Sequence, residues 1–314
     1  MTDAPLFPDQ LTPSEVLAQV AEALPVEARG DVIVIGSLAA GYHFFSADGA
    51  APIRTKDVDV LFSPHAKAVA AAVEVTERLL AADWTQRQDA KWGAPGGPAD
   101  IVDVLPMVRL KPPKSAKATG EWFLELLSAP PDYEAGGEPK QLQRVRTSAG
   151  DFAICSFAFL ALTEWMPLPT QHGVRIARPE MMALANMLHH PGIDATLIAG
   201  TDYKRSNKDL GRVLALAYLT IARDRRDDQD ELGQWAARMW EALRQKFGDY
   251  APILARRAGL GIEALLARRN DLAQALRIAN VGLLASLDLG LDAIEATGRR
   301  FQAEVLEPLT DLAR

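Results

Sequence analysis

Four consecutive β-branched residues, VIVI at 32–35, carry no polar alternation and predict a strand covered on both faces. Gly36 breaks that run. The segment SLAAGYHFF that follows is rich in helix formers, with Ser37 placed to cap a helix N-terminus. Gly49 and Pro52 end it, and DVDVLF at 57–62 predicts a second strand. Ser63-Pro64 then opens a long Ala-rich helix over 64–82. Upstream, Thr12-Pro13-Ser14-Glu15 reads as a capping box with Pro at the first helical position and predicts a helix to Leu24. The order is therefore helix, strand, helix, strand, helix.

Farther on, residues 84–92 alternate weakly and predict a strand, a Gly/Pro turn spans 93–98, and DIVDVLP at 100–106 predicts another strand. GEWFLELL at 120–127 carries helical residues, a Pro/Gly-rich loop follows, and QLQRVRTSAG at 141–150 reads as an edge strand. Beyond Gly150 the pattern turns to long helices, predicted over 178–190, 209–223, 230–247, 261–276 and 288–306. The expected fold class is α+β: a mixed sheet with flanking helices over 1–150, followed by a mainly helical domain over 151–314.

Composition narrows the setting. A chain of 314 residues with 48% hydrophobic and 24% charged residues has the size and makeup of a two-domain globular protein. Its formal charge of -7 argues against a surface given over as a whole to nucleic acid, while leaving room for a local basic face. The single cysteine, Cys155, excludes an internal disulfide and a thiolate metal site, which fits a reducing, cytoplasmic location. The first ten residues lack the basic and apolar regions of a signal peptide, and the apolar run at 152–162 falls well short of the ~20 residues that cross a bilayer. Neither secretion nor membrane insertion is expected.

The chemistry gathers around Gly36 and DVDVLF. Asp57 and Asp59 stand two residues apart, so on a strand they share one face with Cα atoms roughly 7 Å apart. Two carboxylates so placed converge on a hard cation such as Mg²⁺, whereas unpaired on a covered sheet they would repel and desolvate at considerable cost. A Gly-Ser turn between strand and helix lets backbone N–H groups approach an anion, and the helix N-terminus favours negative charge. A third carboxylate is expected from a neighbouring strand. In DIVDVLP that residue is Asp103, flanked by apolar neighbours on its face, with Asp100 at the strand entry as the alternative.

Taken together, VIGSLAAGYHF, RTKDVDVLF and DIVDVLP resemble the nucleotidyltransferase superfamily with the DNA polymerase beta type of catalytic domain, and most nearly its toxin-like branch related to abortive-infection systems. The resemblance spans about residues 32–216. It implies that Gly36 and Ser37 bind the triphosphate of an NTP, that Asp57 and Asp59 hold two Mg²⁺ ions, and that Asp103 helps activate an acceptor hydroxyl. That branch carries a Lys-Asp pair at a helix start in its C-terminal half, which the resemblance places at Lys208 and Asp209 in YKRSNKDLGRVLAL: Lys208 on the phosphates, Asp209 supporting the site. One departure is Asn186 in ALANMLHH, where the branch often has a Lys; Lys204 or Arg205 is a candidate substitute.

The implied reaction moves a nucleoside monophosphate from an NTP to a hydroxyl-bearing acceptor, RNA such as tRNA or a protein, with a possible antitoxin as partner and pyrophosphate as product. Two other readings share the fold: a nucleotide-binding regulatory protein without turnover, and a small-molecule nucleotidyltransferase of the antibiotic type. Outside this site, His189-His190 reads as a pair stabilised by a helix C-terminus rather than a metal site. The Arg doublets at 225–226, 256–257 and 268–269 read as solvated helix faces, and the six tryptophans as core.

Overall fold

The computed structural model describes residues 10–45, 52–87, 94–114, 121–131 and 140–314. The strands are β1 (Gln10–Leu11), β2 (Val32–Ile35), β3 (Ile53–Arg54), β4 (Asp57–Phe62), β5 (Thr85–Gln86), β6 (Arg109–Lys111), β7 (Phe123–Ser128), β8 (Lys140–Thr147), β9 (Gly150–Phe157), β10 (Leu168–Pro169) and β11 (Arg175–Ile176). The helices are α1 (Pro13–Ala23), α2 (Val26–Arg29), α3 (Gly36–Phe45), α4 (His65–Ala81), α5 (Pro179–His189), α6 (Arg205–Asp227), α7 (Trp235–Phe247), α8 (Ala251–Ala258), α9 (Leu260–Leu266), α10 (Arg269–Val281), α11 (Leu291–Phe301) and α12 (Glu307–Leu312). The class is mixed α and β, with a mixed sheet and a helical C-terminal region.

The chain divides into two compact units, Met1–Ala177 and Arg178–Arg314. The boundary expected near residue 150 is therefore displaced to 177. The reason lies in the sheet, which claims β9 beside β7 and β11 beside β2 before the helices begin. Residues 150–157 form a strand because Thr147 and Gly150 close a hairpin, Gly150 at φ 123, and every inward position of β9 is buried.

The sheet of the first unit runs β10-β11-β2-β4-β7-β6-β5, with β9 also against β7 and β8 outside it. β2 is buried along its whole length, as its unbroken apolar run requires, and pairs antiparallel with β4. β4 pairs in parallel with β7. Helix α3 packs on β2 and β4, and α4 covers β4, β7 and β8.

Several expectations need correction. The described part of GEWFLELL, residues 121–127, is not helical: Phe123–Ser128 is a central strand buried at all six positions. Leu and Glu favour helices intrinsically, but burial between parallel and antiparallel neighbours overrides propensity. DIVDVLP is not a strand; it makes a single 3-10 turn, Val102–Val104, with Asp103 exposed. The strand over 84–92 is reduced to β5, and residues 88–93 lie outside the described ones. Thr12 accepts the Val16 N–H through its carbonyl at 3.1 Å, but its side chain makes no cap hydrogen bond. α3 starts at Gly36 itself, so Ser37 lies within the first turn instead of capping it.

The helices of the second unit follow their expected positions, with the 261–276 segment split into α9 and α10, and with α6 a turn longer at its N-terminus. The close approach of α6 to α10 depends on Gly211, where a Cβ would come within 2.8 Å of the Ala275 carbonyl oxygen. Among the described residues no helix is long and apolar enough to cross a membrane.

Candidate functional site

Gly36 is where strand chemistry hands over to helix chemistry. It adopts φ +71, a conformation that side chains with a Cβ rarely take, and a Cβ there would lie 2.9 Å from Asp59 Oδ2. The backbone turn favours glycine, and the Asp59 carboxylate lies close against it. That approach follows from register: Ile35, the last residue of β2, is opposite Asp59 on β4.

On β4, Asp57 and Asp59 alternate with buried Val58 and Val60 and are half-exposed, so both carboxylates share the accessible face. The entry to the strand is fixed by Thr55, whose Oγ1 donates to the Asp57 carbonyl at 3.1 Å. The first-unit residues Gly36, Ser37, Asp57 and Asp59 are therefore brought together at the β2–α3 turn and the adjoining strand.

Asp103 is not in that register. Its strand does not form, and the strand that does lie beside β4 places Glu125 opposite Asp59 and Phe123 opposite Asp57. Parallel partners stand about 4.8 Å apart with side chains on the same face, so Glu125 is the nearest third carboxylate by register. Glu125 is buried, and Arg109 from β6 donates from Nη2 to its Oε1 at 2.9 Å. Asp100, the alternative, accepts from the Gly97 N–H at 2.7 Å and caps its own turn. A single acid inside the otherwise apolar WFLELL was the available signal for Glu125; helix propensity obscured it.

Among the described residues, no cluster of three or more His, Cys, Asp or Glu side chains is arranged to hold a metal ion. Comparison with protein-family models, with curated proteins and with solved structures returns no match for this chain.

Lys208 and Asp209 lie in the second unit, in the first turns of α6. Asp209 is buried, with His190 Nε2 2.7 Å from its Oδ2 and Arg212 Nη1 3.6 Å from its Oδ1. Burial works to raise the Asp209 carboxyl, but the hydrogen bond with His190 and the charges of Arg212 and Lys208 outweigh it and hold the carboxyl below its ordinary value. His190, expected only to sit at a helix end, therefore binds α5 to α6 through a buried pair.

Of the two residues considered as substitutes for the lysine absent at Asn186, Lys204 is committed elsewhere. Its Nζ donates to Asp271 Oδ1 at 2.7 Å, and Asn207 Nδ2 donates to the same oxygen at 2.9 Å. Asn186 itself donates to the Met182 carbonyl at 2.9 Å within its own helix.

The depressed Asp209 carboxyl makes a pH prediction. A carboxyl with a lowered folded-state pKa contributes stability that is present above its unfolded value and lost as pH falls through the folded one. Asp209→Asn should cost about 1–3 kcal/mol at neutral pH, and that gap should close as pH falls below the ordinary carboxylate range of about 4. Thermal melts of both proteins from pH 6 downward measure it; a gap constant with pH would contradict the assignment.

Proposed function

We propose that this protein is a divalent-metal-dependent nucleotidyltransferase that moves a nucleoside monophosphate from an NTP to a hydroxyl-bearing acceptor and releases pyrophosphate. The observation that carries the reading is the contact between the Gly36 turn and the Asp59 carboxylate, with Asp57 beside it on the same face. An anion bound at the turn and cations bound at the carboxylates would be adjacent, as an NTP with its metals requires.

The donor set fits Mg²⁺. That ion prefers oxygen ligands and keeps several waters, so one or two carboxylates completed by substrate phosphates suffice. Asp57 and Asp59 would hold it. The ion, when bound, supplies charge stabilisation at the phosphoryl group. The chain's own residues bind and orient: backbone N–H groups at Gly36 and Ser37 would receive the phosphates. A carboxylate at this site would take the proton of the acceptor hydroxyl. The acceptor in this reading is RNA, such as tRNA, or a protein, in a cytoplasmic, toxin-like setting with an antitoxin as partner.

One observation favours a second reading. Glu125 is engaged by Arg109, which leaves two carboxylates facing the turn and suits a protein that binds nucleotide without turning it over. Incubating the folded protein with each labelled NTP, Mg²⁺ and cell extract separates the two. Labelled acceptor with pyrophosphate release is expected; binding of NTP by calorimetry with no labelled product would instead establish the second reading.

A further inference from the structure

The outer face of α8 and α9 carries a pattern that the second unit leaves uncovered. Gly259, between the two helices, keeps helical angles of φ -75 and ψ -22, so one helical spacing runs through both. Leu254, Ala255, Ala258, Ile262 and Leu265 are buried on the inner side. On the outer side Ile253, Arg256, Leu260, Glu263 and Ala267, at i, i+3, i+7, i+10 and i+14, are all exposed and share an arc of about 80°. Ile253 is 58% exposed and Leu260 51%, where a solvated helix face carries polar side chains. Arg256 reaches the end of α12: its Nη1 donates to the Ala313 carbonyl at 3.0 Å, beside Leu312, which is 46% exposed.

Three large apolar residues gathered around one arginine mark a contact surface. The order of residues along the stripe selects what covers it. Read in reverse it is Ala267, Glu263, Leu260, Arg256, Ile253, so a second copy turned about a two-fold axis at Leu260 sets leucine against leucine and pairs Arg256 with Glu263 twice. A parallel alignment would oppose like charges instead. Among the described residues neither Arg256 nor Glu263 has an ion-pair partner, so each charge is available to the other copy. A polyanion gains little from a stripe with one charge of each sign, and a lipid surface would favour cations without the acid.

We propose that this chain forms a two-fold homodimer through the outer face of α8 and α9, with the helices antiparallel, Leu260 at the axis and an Arg256–Glu263 pair on either side. This inference stands apart from the transferase reading, since it needs neither NTP nor metal.

The test is sedimentation velocity of the full-length protein without NTP or Mg²⁺, over roughly 1–100 µM, a range that brackets a micromolar dissociation constant. Leu260→Glu, Arg256→Glu, Glu263→Arg and the double exchange Arg256→Glu/Glu263→Arg are compared with wild type. Val26→Glu, at a site 67% exposed in the first unit, serves as the matched change elsewhere. Circular dichroism confirms that each variant is folded. Wild type should pass from monomer to dimer across the range. Leu260→Glu sets two carboxylates together at the axis and should leave only monomer. Each single charge reversal opposes like charges twice and should weaken the dimer about tenfold, while the double exchange restores opposite pairs and should return it to within about threefold of wild type. Val26→Glu should change nothing. The proposal is overturned if wild type stays monomeric throughout, if the Leu260→Glu protein still dimerises, if the double exchange is no better than the single reversals, or if Val26→Glu does equal harm.

Discussion

Asp59→Asn should reduce nucleotide transfer on the order of 10³-fold, since metal-held charge stabilisation is worth several kcal/mol and each 1.36 kcal/mol is a factor of ten. The Asp59 carboxylate lies close against the Gly36 turn, so its charge is placed beside whatever the turn binds. Asparagine keeps the size and one oxygen but removes the negative charge that a cation needs. Because Asp59 is half-exposed, its replacement should shift the melting temperature by only about 2 °C. Acceptor labelling and a thermal melt on the same preparation check both parts. Transfer retained within threefold would remove Asp59 from the site, and a melt lowered by 10 °C would make it a structural residue.

The largest expected loss of stability comes from Trp122→Ala. Trp122 is 1% exposed immediately before β7 and meets Trp84 edge to face, with ring centroids 5.7 Å apart. Truncating a buried tryptophan costs about 3–5 kcal/mol through lost transfer energy and the cavity left behind. Among the described residues its indole N–H has no hydrogen-bond partner, so Trp122→Phe forfeits none of the described bonds and should cost clearly less. Denaturant titration of the three proteins measures the order; equal losses for Ala and Phe would show that the indole's extra ring, not general burial, holds the segment. Since β7 carries Glu125, the Ala variant should also lose NTP binding ahead of global unfolding.

The elements legible in the sequence are those whose local pattern and tertiary role agree. VIVI is a strand buried on both faces, the Ala-rich helix begins within a residue of Ser63-Pro64, and Asp57 and Asp59 share a face because alternation on a strand is a local property. The same agreement located Pro179–His189 and most of α6. Where the two disagreed, the sequence misled. WFLELL has helical residues and no alternation, yet its position between β4 and β6 makes it the central strand. DIVDVLP looks like a strand but stays outside the ladder that would have organised it.

By itself, then, the sequence determined the Gly36 turn, the face shared by Asp57 and Asp59, and the change from sheet to helices, because each depends on residues within a few positions of one another. Tertiary structure alone decided which acid lies beside Asp59, that Arg109 engages it, that His190 pairs with Asp209, and that Lys204 is spent on Asp271. Those depend on strand register and helix packing between segments far apart in the chain, where pairing across the fold outweighs the preference of any single residue.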